Sequence, residues 1–242
     1  MSVSGTMPQG TFPLFDKEAE FLASEMKKYS VTELEKLLKV SDKLAETNYE
    51  RYQRFDYPDT PRKPALLAYN GSVFKALGGD TFSPGDFAYA QEHIRIISTL
   101  YGLVRPLDLI KAYRIAFYLK LGNSKDDLYQ YWLPLLTQPL IKDIRNAGGI
   151  LVNLASLDVL GALQMDAIAR EARIITPEFK ELRKGKYETV RTYAKIARGK
   201  MCGEIIRHRI ETPEALKQFE WEDFAFNPEI SDDKNFIFTR KK

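Results

Sequence analysis

Apolar positions along the chain repeat with two different periods. Residues 16–28 and 43–55 carry them at near-helical spacing, the second with Leu44, Ala45, Tyr49, Tyr52 and Phe55. Residues 149–155, Gly-Ile-Leu-Val-Asn-Leu-Ala, instead form one continuous apolar run of strand length. Helix starts are marked by side chains that can take up the free N–H groups of a first turn. Ser30 with Glu33 forms a capping box ahead of Leu34, Leu37 and Leu38, and Ser41-Asp42 opens the 43–55 helix. Ser83-Pro84 and Thr212-Pro213 each put a cap before a first-turn proline, predicting helices to about His93 and through Phe219. Further helices are expected over 73–77, 126–139, 157–169 and 193–209. Asn48, set among apolar positions, is expected to be a satisfied polar core residue.

Turn signals divide the rest. Three prolines within residues 57–64 make a loop, and the small, polar residues 1–13 are expected to be poorly ordered. Strands are expected at 65–69, 94–98, 150–154, 173–182, 187–192 and 235–239, with a basic hairpin tip at 183–186 and an extended partner at 221–226. A continued helix competes with the strand at 94–98. These elements predict one mixed α/β domain over residues 1–242, with a central mixed sheet flanked by helices.

The densest stretch is 93–114, HIRIISTLYGLVRPLDLIKAYR, which reads as strand, turn and short helix. Gly102 between Tyr101 and Leu103 suits a tight turn with exposed N–H groups, able to hold a phosphate if a helix follows; an ordinary turn is the competing reading. Arg105 and Arg114 are candidate anion ligands because a guanidinium binds planar anions through two parallel hydrogen bonds, and Asp108 stands beside them. Asn153 and Ser156 lie at the exit of the 149–155 strand, where α/β proteins place sites. The expected site therefore lies where the 94–98 and 150–154 strands meet the helix beginning near Tyr193.

Composition narrows the classes. The chain has 242 residues, 44% of them hydrophobic, enough for one substantial core, and no apolar run long enough to span a membrane. No export signal opens the chain, and the single cysteine, Cys202, fits a reducing cytosol. With only two histidines, His93 and His208, a His/Cys zinc site is not expected; a carboxylate-only metal site stays open. No cofactor motif is present. Net charge is only +3, but residues 180–209 hold ten Lys/Arg against three Glu, and 211–233 hold eight acids against one Lys. Such a basic block attracts polyanions; a solvated helix face balanced by its acidic neighbour is the alternative.

Six blocks, in order, resemble the YaaA family of bacterial peroxide-stress proteins: Val40-Ser-Asp-Lys-Leu-Ala45, Leu100 to Asp108, Tyr113-Arg114, Asp127 to Trp132, Asn153-Leu-Ala-Ser156 and Tyr193 to Gly199. The resemblance covers residues 15–239. It implies a cytoplasmic protein of hydrogen-peroxide resistance that limits iron-driven damage, with DNA bound in a positively charged cleft and by a helix-hairpin-helix-like element. The Gly102 turn is the best match to that element here. Three departures stand out. The family's opening apolar strand and Ser-x-Ala-Lys-Thr-type turn are absent, as though the start were truncated and a sheet edge had lost its neighbour. Ile115-Ala116 replaces a Leu-Glu pair. The acid after Asn-Leu-Ala-Ser is displaced from Leu157 to Asp158, about 100° around a helix.

Three functions follow as expectations. In the first, Lys43, Gly102, Arg105, Arg114, Lys195 and Arg198 bind duplex DNA with little sequence preference, supported by Ser41, Asp42, Tyr69, Tyr101, Asp108, Asn153, Ser156 and Asp158. In the second, the same cations hold a small anionic or nucleotide-like ligand, with Asp108 or Asp158 as acid or base; no nucleophile–base pair stands out, which argues against an enzyme. The third is a protein that only binds protein partners. Against all of them stands internal pairing of the cations with Asp42, Asp108 and Asp158.

Overall fold

The structure is a computed structural model and describes residues 8–122 and 124–241. The segment before the first helix is tied down: Thr11 N–H donates to Leu107 O at 2.9 Å and Leu109 N–H to Thr11 O at 2.7 Å. Residues 8–13 are thus ordered, against expectation, because residues 107–109 supply their backbone partners; residues 1–7 lie outside the described residues.

Helices α1 (Asp16–Met26), α2 (Val31–Leu38) and α3 (Asp42–Gln53) follow. The Ser30 capping box forms as its spacing demands, Ser30 N–H donating to the Glu33 carboxylate at 2.8 Å. Asn48 is fully buried and donates to Leu44 O at 2.7 Å, so the polar core reading holds. The chain continues through β1 (Lys63–Pro64), α4 (Ala65–Ala68), α5 (Ser72–Leu77) and α6 (Pro84–His93). The strand expected at 65–69 is a single helical turn. Ala-Leu-Leu-Ala has no β-branched residue, and the Ala65 and Leu66 N–H groups turn away to Asp108 O at 2.8 Å and Pro106 O at 3.1 Å.

The 93–114 stretch also differs from its expected form. It contains an antiparallel hairpin of β2 (Ile96–Ser98) and β3 (Gly102–Val104), then β4 (Leu109–Ile110) paired with β1, and no helix. Gly102 is buried at φ +65°, and a Cβ there would stand 2.7 Å from the Trp132 ring and 2.8 Å from Leu136. It is glycine so that α7 (Leu128–Asn146) can close on the hairpin, where Trp132 Nε1–H donates to Thr99 O at 2.8 Å. Its N–H is not an exposed phosphate donor, and the helix-hairpin-helix-like element is not here. Helices α2 and α3 do form a helical hairpin, joined by Lys39, in the left-handed conformation, Val40 and Ser41.

The remaining elements are β5 (Ile150–Val152), α8 (Leu157–Leu160), α9 (Met165–Glu171), β6 (Arg173–Arg183), β7 (Lys186–Glu188), α10 (Arg191–His208), α11 (Pro213–Leu216), β8 (Ala225–Phe226) and β9 (Asn235–Lys241). The main sheet has the order β5-β6-β9-β8, with β7 added to the end of β6. Its β5–β6 and β6–β9 pairs are parallel and the others antiparallel, which makes the expected mixed α/β fold. Residues 65–69 and 94–98 do not belong to it, since β2 finds its partner in the local hairpin. One core cluster joins α1–α3, the β2–β3 hairpin and α7; a second lies between the main sheet and α10–α11; a third fills the space among α4, α5 and α6.

Asp108 joins the pieces. Its carboxylate is almost wholly buried and accepts from Thr11 Oγ1 at 2.6 Å, Arg105 N–H at 2.8 Å and the Arg105 guanidinium at 3.0 Å. Gln91 completes the network, donating to Thr11 Oγ1 at 3.1 Å and accepting Leu107 N–H at 2.8 Å. Replacing Asp108 with Ala strands these donors, and the expected loss is about 3 kcal/mol, or roughly 6–12 °C in thermal midpoint. Calorimetry of Asp108→Ala checks this; a drop of less than about 2 °C contradicts the role given to the carboxylate.

Candidate nucleic-acid interface

One group of free positive charge lies on the β6–β7 hairpin tip and the first half of α10. Lys184, Lys186, Arg191, Lys195 and Lys200 are exposed and make no ion pair among the described residues. The cations that flank them are occupied. Lys180 pairs with Glu178 at 2.9 Å, Arg183 with Glu181 at 2.8 Å and Arg209 with Asp86 at 2.9 Å. Arg207 donates to Thr81 Oγ1 at 2.8 Å and Gly78 O at 3.2 Å. The first half of α10 therefore faces solvent with its charge, while the last turns use theirs to hold the fold.

Two features set α10 in place. Gly203 packs against α5 so closely that a Cβ would stand 2.6 Å from Leu77 O, and Gly199 is closer still to Val73 O. At the helix start, the buried Glu181 carboxylate takes Arg240 at 2.5 Å on one oxygen and Arg183 on the other, and the Arg240 guanidinium lies 4.0 Å from the centre of the Tyr193 ring. Burial alone would raise the Glu181 pKa, but the hydrogen bonds from Arg240 and Arg183 outweigh it and hold the carboxyl below its ordinary value.

Arg198 differs from its neighbours. It is half-buried, its Nε–H has no hydrogen-bond partner among the described residues, and burial works against its charged form while Glu178 favours it. A guanidinium stays charged under such conditions, so Arg198 carries a buried donor that is left unpaired among the described residues.

The other expected site residues fall into separate groups. Lys43, Ser41 and Asp42 are exposed at the start of α3, whose Ser41 side chain makes no capping bond; Lys36 and Lys39 extend that basic hairpin. Arg114 is exposed, and its backbone carbonyl accepts from Tyr52 at 2.7 Å. Arg105 is committed to Asp108, so internal pairing is the correct reading for this pair. Tyr69 and Tyr101 are core residues linked through Tyr113: the Tyr69 and Tyr113 hydroxyls are 2.9 Å apart, Tyr113 is 2.7 Å from Ser98 Oγ, and Ser98 Oγ accepts Tyr101 N–H at 2.9 Å. Burial raises the pKa of both Tyr69 and Tyr113.

Asn153 folds on its own turn, its Oδ1 accepting Ala155 N–H at 3.2 Å. Ser156 precedes α8 without a side-chain cap, and Asp158 is exposed, its backbone carbonyl held by Tyr129. No hydrogen bond or ion pair among the described residues links the α3 group to the α10 group. Sequence reading did not single out Lys184, Lys186, Arg191 and Lys200, although the charge count over 180–209 includes them.

Chemistry is sparse elsewhere. His93 stacks on Tyr89 with ring centres 3.9 Å apart, and His208 pairs with Glu204 at 3.0 Å. No three His, Cys, Asp or Glu side chains among the described residues are grouped to hold a metal ion. A recess of about 320 Å³ between α10 and α11 is lined by Glu204, Glu220 and His208, a charge unsuited to an anionic ligand. No described helix is long and apolar enough to cross a membrane.

What the fold and surface define is a mixed α/β protein with one group of unpaired cations along a strand hairpin and the helix that follows it. The chain belongs to the family of peroxide stress protein YaaA, whose sequence profile matches residues 2–230. It is 47% identical over 238 residues to a UPF0246 protein of Bacteroides fragilis, covering 97% of this chain and 92% of that protein. A UPF0246 protein of Bacteroides thetaiotaomicron is 47% identical over 235 residues, covering 96% of this chain and 91% of its own length. One from Saccharophagus degradans is 39% identical over 233 residues, covering 95% and 90%.

Two predictions follow from these groups. Because the folded Glu181 pKa is lowered, its contribution to stability is present above the ordinary value of 4.5 and is lost as pH falls below it. Thermal midpoints measured between neutral pH and the acid range should fall for the wild type and fall less steeply for Glu181→Gln; parallel curves contradict the assignment. Burial pushes the Cys202 thiol up to about 12, so a thiol reagent at mildly alkaline pH should label it more slowly than a free thiol in the folded protein and at the free-thiol rate in denaturant.

Proposed function

We propose that the protein acts in peroxide stress as a cytoplasmic binder of duplex DNA that limits iron-driven damage. The supporting observation is the run of exposed, unpaired cations Lys184, Lys186, Arg191, Lys195 and Lys200, beside the half-buried Arg198. Lys39 and Lys43 at the α2–α3 hairpin form a second basic contact of the same kind. Cations spread along a hairpin and a helix suit a polymer of phosphates better than one small anion. Neutralising phosphates expels the condensed counterions, ferrous iron among them, so coating DNA removes the metal from the place where peroxide would be turned into a damaging radical.

Fluorescence anisotropy of a labelled duplex across a salt series tests this reading. Wild type should bind with steep salt dependence and little sequence preference. The triple variant Lys184→Glu, Lys186→Glu, Lys195→Glu should lose at least about tenfold in affinity, and the salt slope should shrink by about 0.9 per contact removed. Lys125→Glu, outside the basic block, should change little. Equal affinity of wild type and triple variant overturns the proposal. Arg198, which makes no ion pair among the described residues, favours a second reading, a small anionic or nucleotide-like ligand. Saturable nucleotide binding that Arg198→Gln abolishes, with duplex ignored, would support it.

A further inference from the structure

The β6–β7 hairpin and the first turn of α10 have little of their own to fix how they face each other. β7 is three residues long, pairs among the described residues with β6 alone, and is joined to α10 by Thr189 and Val190. A two-stranded ribbon of this size is marginal by itself. Its turn, Lys184-Gly185, is left-handed at both residues, with φ +47° and +79°, and sets Arg183 opposite Lys186. α10 in turn starts at Val190 without a side-chain cap.

Side chains supply what the backbone does not. Glu181 is fully buried in β6 and stands opposite Arg240 of β9 in the pairing register. One of its oxygens accepts from Arg240 Nε at 3.1 Å and Nη2 at 2.5 Å. The other accepts from Arg183 Nε at 3.0 Å and Nη2 at 2.8 Å. Each guanidinium thus gives two N–H groups to one oxygen, and the charge assists every bond. Arg240 lies against two rings, 4.0 Å from the centre of Tyr193 and 4.6 Å from that of Phe224. Tyr193 stands in the first turn of α10 between Arg191 and Lys195, and Arg183 is the last residue of β6, next to Lys184. One carboxylate therefore links the end of the hairpin strand to the start of the basic helix, through residues that are not themselves the exposed cations.

We infer that Glu181 is a positioning residue for polyanion binding, holding the cations of the β6–β7 hairpin and those of the first turns of α10 in one fixed arrangement that a rigid duplex meets at once. The inference rests on the duplex-binding reading above. Its sign separates it from plain electrostatics. Glu181→Gln removes a negative charge from beneath the surface and takes away no cation. If charge alone set the affinity, the variant would bind every polyanion more tightly. If Glu181 sets the arrangement, Arg240 no longer holds Tyr193, the two groups of cations move independently, and the duplex loses affinity because it must order them as it binds. A flexible polyanion follows the cations instead and loses nothing.

Isothermal titration calorimetry with duplex DNA as the rigid probe and inorganic polyphosphate as the flexible one, at one salt concentration and well below the thermal midpoint, tests this. Glu181→Gln should bind duplex at least about tenfold more weakly than wild type, and polyphosphate at least as tightly. Tyr193→Leu changes no charge and leaves Glu181 paired, so it covers the case in which Glu181→Gln fails to fold. It should show a loss on duplex of the same sign, with polyphosphate unchanged. Duplex binding by folded Glu181→Gln that equals or exceeds wild type overturns the inference, as does wild-type duplex affinity in Tyr193→Leu. So does an equal loss on both probes, which would make Glu181 a residue of the fold alone. Those outcomes arise only where wild type binds duplex; a wild type that ignores duplex overturns the duplex-binding reading itself, and this inference with it.

Discussion

A single buried carboxylate closes the part of the molecule that the first half of the chain builds. Asp108 accepts from a threonine nearly a hundred residues earlier, from the backbone and side chain of Arg105, and its own carbonyl starts α4. A carboxylate out of water is costly unless its lone pairs have donors, and here the donors come from the N-terminal segment through Thr11 and from Arg105 three residues away. None of the pieces around it is long enough to hold its position alone. The N-terminal segment, the two-residue strands β1 and β4 and the one-turn α4 exist as a unit or not at all.

The sheet lobe repeats this arrangement with different residues. Glu181, fully buried in β6, is shared between Arg183 at the end of its own strand and Arg240 in β9, and Arg240 in turn lies on the Tyr193 ring of α10. Both carboxylates stand where elements distant in sequence meet. Pro177 shows how closely β6 is adapted to its neighbours. The odd-numbered residues of this strand turn their N–H groups towards β5, and Pro177, which has none, comes where the β5 pairing has already ended.

Much of this was legible in the sequence, and the failures have physical causes. The caps at Ser30 and Ser83 read correctly because they are local, Ser30 with Glu33 and Ser83 with Asp86 satisfying one another within a single turn, whereas Ser41 starts α3 without a side-chain bond. The 173–182 strand read correctly because its alternation answers to one buried face, and the 235–239 strand because its apolar run Phe236-Ile237-Phe238 is buried throughout. The 65–69 and 93–114 stretches did not, because non-local partners decide them. Ala65 is helical through a bond to residue 108, and Gly102 is a glycine through Trp132 and Leu136, thirty residues away. The site divides in the same way. The basic block was visible as a count of charges, whereas the commitment of Arg105 and the freedom of Lys184 and Lys186 depend on where the acids fold. Arg105 and Arg114 look equivalent in sequence; one is occupied by Asp108 and the other is exposed.

The contact between α10 and α5 has one more consequence. Glycines at 199 and 203 bring the backbone of α10 against the carbonyls of Val73 and Leu77, leaving no layer of side chains between the helices that could slide or repack. The cations of α10 thus ride on a rigid rod while their own long side chains stay free. Engaging a partner would order side chains but no backbone, so the entropy lost on association is small for the charge brought to bear. A surface of this kind makes and breaks contacts quickly, a property suited to moving along a partner rather than settling at one place on it.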